Sequence, residues 1–206
     1  MIDILRELII IIPVLLFSLS VHEFSHGYTA WKLGDPTAKR MGRLTLNPIA
    51  HLDPLGVLFA IFFKFGWAKP VPINPYYFQK PLLHMAISSF AGPFSNFCLA
   101  ICFAIVFKIL SFILSDLPHF IAQFFFLASF INLALFFFNL IPIPPLDGSR
   151  LLLAAIPGMT LEKTLKYEMF GVLGLFILMM ASWSGIPIFK YIVIQPSYKV
   201  LSILYG

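Results

Sequence analysis

Four stretches of this chain run almost without charge: residues 8–21, 82–114, 120–141 and 169–181. A helix needs roughly 20 apolar residues to cross the hydrocarbon core of a bilayer. The second and third stretches meet that length, and the first does so if its helix continues past His22. Only 11% of the residues are charged and the mean hydropathy is +0.93, whereas a soluble domain carries about a quarter charged residues. Such a chain lacks the polar surface to cover these segments in water. The expected fold is an all-α polytopic membrane protein, a helical bundle of about 4–6 transmembrane segments. Residues 55–65 are too short to span, so residues 55–80 are read as a short extended or re-entrant element. No repeat, low-complexity tail or long polar linker interrupts the chain, and residues 1–206 are read as one domain. No cleavage-site pattern follows the first apolar run, so that span is expected to remain in the mature protein.

Loop charges orient the spans. Lys32, Lys39, Arg40 and Arg43 form one basic group, and Arg150, Lys163 and Lys166 another, whereas the connection around Asp116 has no Lys or Arg. By the positive-inside bias both basic groups lie on the cytoplasmic side of a cell membrane and Asp116 outside. The net charge of +5 is thus explained by loops at a lipid bilayer, with no nucleic-acid partner, and it sets no oligomeric state. On this reading the first helix runs inward past His22, the second returns outward, and the third brings Asn139 through Arg150 back to the side of His22. The two cysteines, Cys98 and Cys102, sit four apart on one helix face, too far along the axis for an easy disulfide, and read as packing residues.

His22-Glu23-Phe24-Ser25-His26 carries the chemistry. Helix positions i and i+4 differ by about 40° around the axis, so both imidazoles face one way, as two zinc ligands must. Glu23 is next round the helix, placed to hold a metal-activated water without ligating the metal. A random match to H-E-x-x-H in this composition has a chance of roughly two in a thousand, and ionisable groups clustered in a membrane span default to function.

A catalytic zinc usually keeps three protein ligands and an open position. No Glu follows Glu23 until Glu162, so the third ligand is sought among four Asp. Asp35 lies in the turn-like Gly34-Asp35-Pro36, and Asp116 on the far side. Asp53 competes; Asp147 is favoured. Pro142, Pro144 and Pro145 end a helix before it, and Gly148 permits a sharp reversal after it. Irregular backbone at membrane depth is tolerated where it lines a cavity. His51 is read with Asp53 as ordering a turn, His84 and His119 as interfacial, and the chain after Met169 as one further span or two.

These motifs together resemble the site-2 proteases, intramembrane zinc metalloproteases of peptidase family M50. The resemblance rests on His22 through Gly27, Leu33-Gly34-Asp35-Pro36-Thr37-Ala38, Gly42-Arg43-Leu44-Thr45-Leu46-Asn47-Pro48 with His51-Leu52-Asp53-Pro54, Gly92-Pro93-Phe94-Ser95-Asn96, and Asn139 through Gly148. The match is to the short branch without PDZ or CBS domains. It implies one catalytic Zn2+ held by His22, His26 and Asp147, with Glu23 as general base and Asn139 and Asn96 at the substrate. The implied substrate is a transmembrane protein or peptide, cut within or near its membrane segment. Such a helix must unwind first, and Lys69 through Phe78, with alternating prolines, is read either as a partner for it by strand addition or as an interfacial loop. The alternative function is a membrane metal transporter or an inert metal-binding scaffold.

Overall fold

The apolar stretches become helices in the computed structural model, which describes residues 2–63, 66–114 and 116–206. In chain order these are α1 (Ile2–Lys32), the short α2 (Thr37–Arg40), α3 (Pro54–Phe63), α4 (Pro81–Ile113), α5 (His119–Asn139), α6 (Asp147–Ala155), α7 (Leu161–Trp183) and α8 (Gln195–Tyr205). The described residues form no strand, only an isolated antiparallel bridge between Leu52 and Ala68, so the fold is all-α. Among the described residues four helices are long and apolar enough to cross a membrane: Leu8–Lys32 of α1, α4, α5 and α7. The protein is a multi-pass membrane protein at the lower end of the expected range. The C-terminal run adds one span, α7. Helix α8 continues a π-helical stretch at Lys190–Ile194 and is not among the spans; its Leu201 packs with Ala100 and Leu133, and its Tyr205 hydroxyl donates to the Phe125 carbonyl at 2.8 Å.

Small side chains fill the contacts among α1, α4 and α5. Ser18, Ser88, Ala100, Ala128 and Ser129 are completely buried, while Phe112, Phe170 and Ile177 lie largely exposed on the outside. This inversion suits lipid, where large apolar groups gain nothing by moving inward and helices associate through close backbone approach. Cys98 and Cys102 are also exposed, so they are outward-facing rather than the packing residues expected from sequence.

Two clusters show how the helices run. Ile10 and Val14 of α1 pack with Ala128 of α5, against Phe103 and Phe124. At the other end Ala30 meets Phe78 and Met85, with Leu33, Ile73 and Leu161 around them. Helix α4 is therefore antiparallel to α1, α5 is parallel to it, and the ends bearing Lys32, Asn139 and Leu161 come together. The basic loops share that end, and Asp116 lies at the opposite one.

After α5 the chain turns back sharply into α6. A Cβ on Gly148 would lie 2.2 Å from the Leu140 carbonyl oxygen, so only glycine allows α6 to start so close to the end of α5. Helix α7 is tied to α6 by the Arg150 guanidinium, which donates to both Glu168 carboxylate oxygens at 2.7 and 3.2 Å. Helix α3, about 15 Å long, is too short to span, as expected. The segment of residues 66–80 is irregular rather than a strand, with a single 3-10 turn at Pro75–Tyr77. Its prolines at 70, 72 and 75 remove the ladder donors a strand needs.

Candidate metal centre

The helical period of α1 brings His22 and His26 together, both buried, with their Nε2 atoms 2.9 Å apart. The first residue of α6 completes the group. Asp147 Oδ2 lies 3.2 Å from His22 Nε2 and 3.3 Å from His26 Nε2. Two imidazole nitrogens and a carboxylate oxygen all lie within 4.8 Å of one another, the one such grouping among the described residues. Burial by itself would raise the Asp147 carboxyl, but the two imidazoles beside it hold it below the usual carboxylate range.

The other three Asp candidates stand elsewhere. Asp53 caps α3, its Oδ1 accepting from the backbone N–H groups of Leu55 and Gly56 at 2.9 and 3.1 Å. Asp35 is buried and accepts from Thr37 N, Thr37 Oγ1 and Asn74 N. Asp116 is in the α4–α5 connection at the far end. His51 bonds Thr45 O through Nε2 at 2.8 Å, and neither it nor Asp53 joins the metal-binding group.

The space among the three ligand atoms is kept by Gly92 of α4. A Cβ there would lie 2.3 Å from His26 Nε2 and 2.7 Å from His22 Nε2, so any side chain would enter the place where the ligand lone pairs converge. This cradle and a donor set of two imidazoles and one carboxylate fit a zinc site with a fourth position left over. Gly92→Ala is accordingly expected to lower zinc affinity by at least about tenfold, the lower bound for disturbing groups around a site. Chelator competition on the purified protein measures it, and unchanged affinity would mean that the cradle is not the metal's place.

Each imidazole is held from behind. His26 Nδ1 donates to the Ser88 carbonyl at 2.7 Å, and His22 Nδ1 meets Asn96 Oδ1 at 2.6 Å. Asn96, which the resemblance places at the substrate, is completely buried, and its Nδ2 donates to Asn132 Oδ1 at 2.9 Å and to Ser18 O at 3.3 Å, so its polar atoms are all engaged inside the bundle. Asn139, the last residue of α5, is half-buried, and its Nδ2 donates back to Leu135 O at 2.9 Å; it stands outside the three-residue group. Sequence reasoning missed Ser18, Ser88 and Asn132. Asn132 alone had a usable signal, an amide within an apolar span, where polar groups are costly and seldom idle.

Glu23 faces a strap laid across the end of α1. Its Oε2 accepts from the Val71 backbone N–H at 2.7 Å. The strap is pinned on either side of this contact. Arg43 Nη2 donates to Lys69 O at 2.8 Å, Lys69 N donates to His51 O at 2.8 Å, and Asn74 N donates to Asp35 Oδ2 at 2.7 Å. The Gly34–Ala38 and Gly42–Pro54 motifs thus serve to fasten residues 69–74 over Glu23.

Comparison with known proteins bears on the family. The model of "Peptidase family M50" matches residues 113–181, the stretch from the end of α4 through most of α7 that contains Asp147. "Putative zinc metalloprotease YwhC" of Bacillus subtilis is 41% identical over 172 residues, covering 82% of this chain and 78% of that protein. "Putative zinc metalloprotease Rip2" of Mycobacterium tuberculosis is 30% identical over 179 residues, covering 84% and 67%. Its namesake in Mycolicibacterium smegmatis is 33% identical over 150 residues, covering 68% and 54%. No solved structure matches the chain. With 41% identity over most of both this chain and that of the Bacillus subtilis relative, the chain belongs to peptidase family M50, the site-2 proteases.

Proposed function

We propose that this zinc metalloprotease hydrolyses peptide bonds within or beside transmembrane segments of membrane-protein substrates, in regulated intramembrane proteolysis. His22, His26 and Asp147 would hold the zinc, and Glu23 acts as general base. The observation that carries the reading is the three-ligand cradle with a carboxylate beside it, on a helix long enough to cross a membrane. Ten residues separate His22 from Lys32, about 15 Å along the axis, so the chemistry lies below the membrane surface. The clustering of basic loops at the same end supports an active site toward the cytoplasm.

Zinc supplies Lewis acidity at such a site, polarising a carbonyl and acidifying water. The protein's own groups do the rest. Glu23 takes a proton from the attacking water at the oxygen that Val71 does not engage. It then delivers that proton to the amine nitrogen as the peptide C–N bond breaks. Gly92 keeps the space at the ligands clear. The strap must yield or pair with the substrate, because Glu23 lies under Val71 in this conformation. The substrate is a transmembrane helix locally unwound there, since an intact helix buries its own amides.

Reconstitution tests the reading. Purified protein in liposomes is expected to cleave a labelled transmembrane peptide, to stop on chelation and to resume with added zinc. Metal transport without peptide hydrolysis would favour a transporter instead. That alternative asks for ligands along a path through the membrane, and the described residues contain one group, near one end.

A further inference from the structure

We infer that Asn132, acting through Asn96, sets the tautomer of His22 and so makes its Nε2 available to the metal; this rests on reading His22 as a ligand. The relay crosses three helices. Asn132 Nδ2 donates to the Ala128 carbonyl and to Ser18 Oγ, both at 2.9 Å. Asn96 Nδ2 donates to Asn132 Oδ1, and Asn96 Oδ1 faces His22 Nδ1. All three polar side chains are buried.

The direction of the relay is settled by groups that have only one role. Carboxamide orientation is ordinarily ambiguous, because nitrogen and oxygen are nearly alike in shape. The Ala128 carbonyl removes the ambiguity, since it can only accept. The Asn132 atom against it must be nitrogen, so Oδ1 points to Asn96. The Asn96 atom meeting that oxygen must in turn be nitrogen, and the Ser18 carbonyl beside it requires the same. Oxygen is then left toward His22, whose Nδ1 must carry the hydrogen. A neutral imidazole with hydrogen on Nδ1 has its lone pair on Nε2, the atom beside His26 and Asp147.

Reversing Asn96 would set its oxygen against Asn132 Oδ1 and Ser18 O, with no proton between them. It would also turn NH2 toward His22 Nδ1, moving the ring hydrogen onto Nε2 and into the ligand cluster. In a buried site each such mismatch leaves a polar atom unpaired at a full desolvation cost, so the amides hold one orientation. His26 needs no such relay, because Ser88 O is itself a carbonyl. Asn132 is therefore a positioning residue that acts by holding the Asn96 amide, and Asn96 is one that acts by meeting the His22 ring.

A double-mutant cycle read by zinc affinity in detergent distinguishes this role from packing. Asn132→Leu keeps the bulk but leaves the Asn96 amide held only by the longer Ser18 carbonyl contact at 3.3 Å. The amide then turns more readily, and zinc binding is expected to weaken about 10–100-fold. In an Asn96→Asp background the same change is expected to cost less than about threefold, because a carboxylate presents oxygen whichever way it turns. Equal losses in both backgrounds, or no loss in Asn132→Leu, would overturn the proposal. Should the Asp variant not fold, 15N NMR of histidine-labelled metal-free protein gives the same decision. His22 is expected with hydrogen on Nδ1 in the wild type and as a tautomer mixture in Asn132→Leu; an unchanged His22 there would overturn it. His22→Ala separates the two readings. Full zinc retention in that variant defeats the ligand assignment and the relay with it, whereas zinc lost there but kept in Asn132→Leu defeats the relay alone.

Discussion

Glu23→Gln is expected to slow cleavage of a membrane peptide by about 10²–10⁴-fold, the usual contribution of a positioned general base, while zinc content and thermal stability stay near wild type. The substitution is close to ideal for this site. A glutamine carbonyl accepts the Val71 N–H as Oε2 does now at 2.7 Å, so the strap keeps its anchor. The amide has no basic oxygen to take a proton from water. Metal binding should survive because Glu23 is not among the three clustered ligands. Rates of peptide hydrolysis in liposomes, with zinc measured on the same preparations, decide the matter. A variant within threefold of wild type, fully loaded with zinc, would assign the base elsewhere.

Removal of the proposed third ligand should have the other large effect, and it distinguishes two carboxylates that look alike on paper. Asp147→Ala leaves two imidazoles where three donors now meet, and should lower zinc affinity by more than the roughly 100-fold that loss of an outer-shell partner produces. Hydrolysis falls with the metal. Asp53→Ala should leave zinc in place. Its carboxylate caps α3 through Leu55 N and Gly56 N, and loss of a cap costs about 1 kcal/mol, which appears as a modest drop in thermal stability. Metal analysis of both purified variants reads out the contrast. Zinc kept in the first and lost in the second would reverse the assignment.

The two classes of residue differ in how visible they were beforehand. The approximate ends of the long spans could be read because apolar length is a local property, unaffected by what packs where, whereas their number was left between about four and six. The juxtaposition of His22 and His26 was legible for the same reason, since four residues of helix place them on one face. Asp147 could be favoured from its Pro-rich exit and Gly148, but its distance to the imidazoles depends on α5 returning beside α1. Asn96 shows the opposite outcome. Its motif pointed to the site, but which of its faces met His22 was set by Asn132, 36 residues away in sequence. Gly34-Asp35-Pro36 reads as a turn, but that Asp35 also holds the strap is invisible locally, because its partner Asn74 lies 39 residues downstream.

By itself, then, the sequence determined a multi-pass helical membrane protein with two metal-competent histidines on one helix face, because repeat and length are written locally. Only the tertiary structure decided which carboxylate joins them, what lies behind each imidazole and what covers Glu23. Those are meetings between segments far apart in the chain. They are selected by close packing of small residues and by the cost of leaving any buried polar group unpaired.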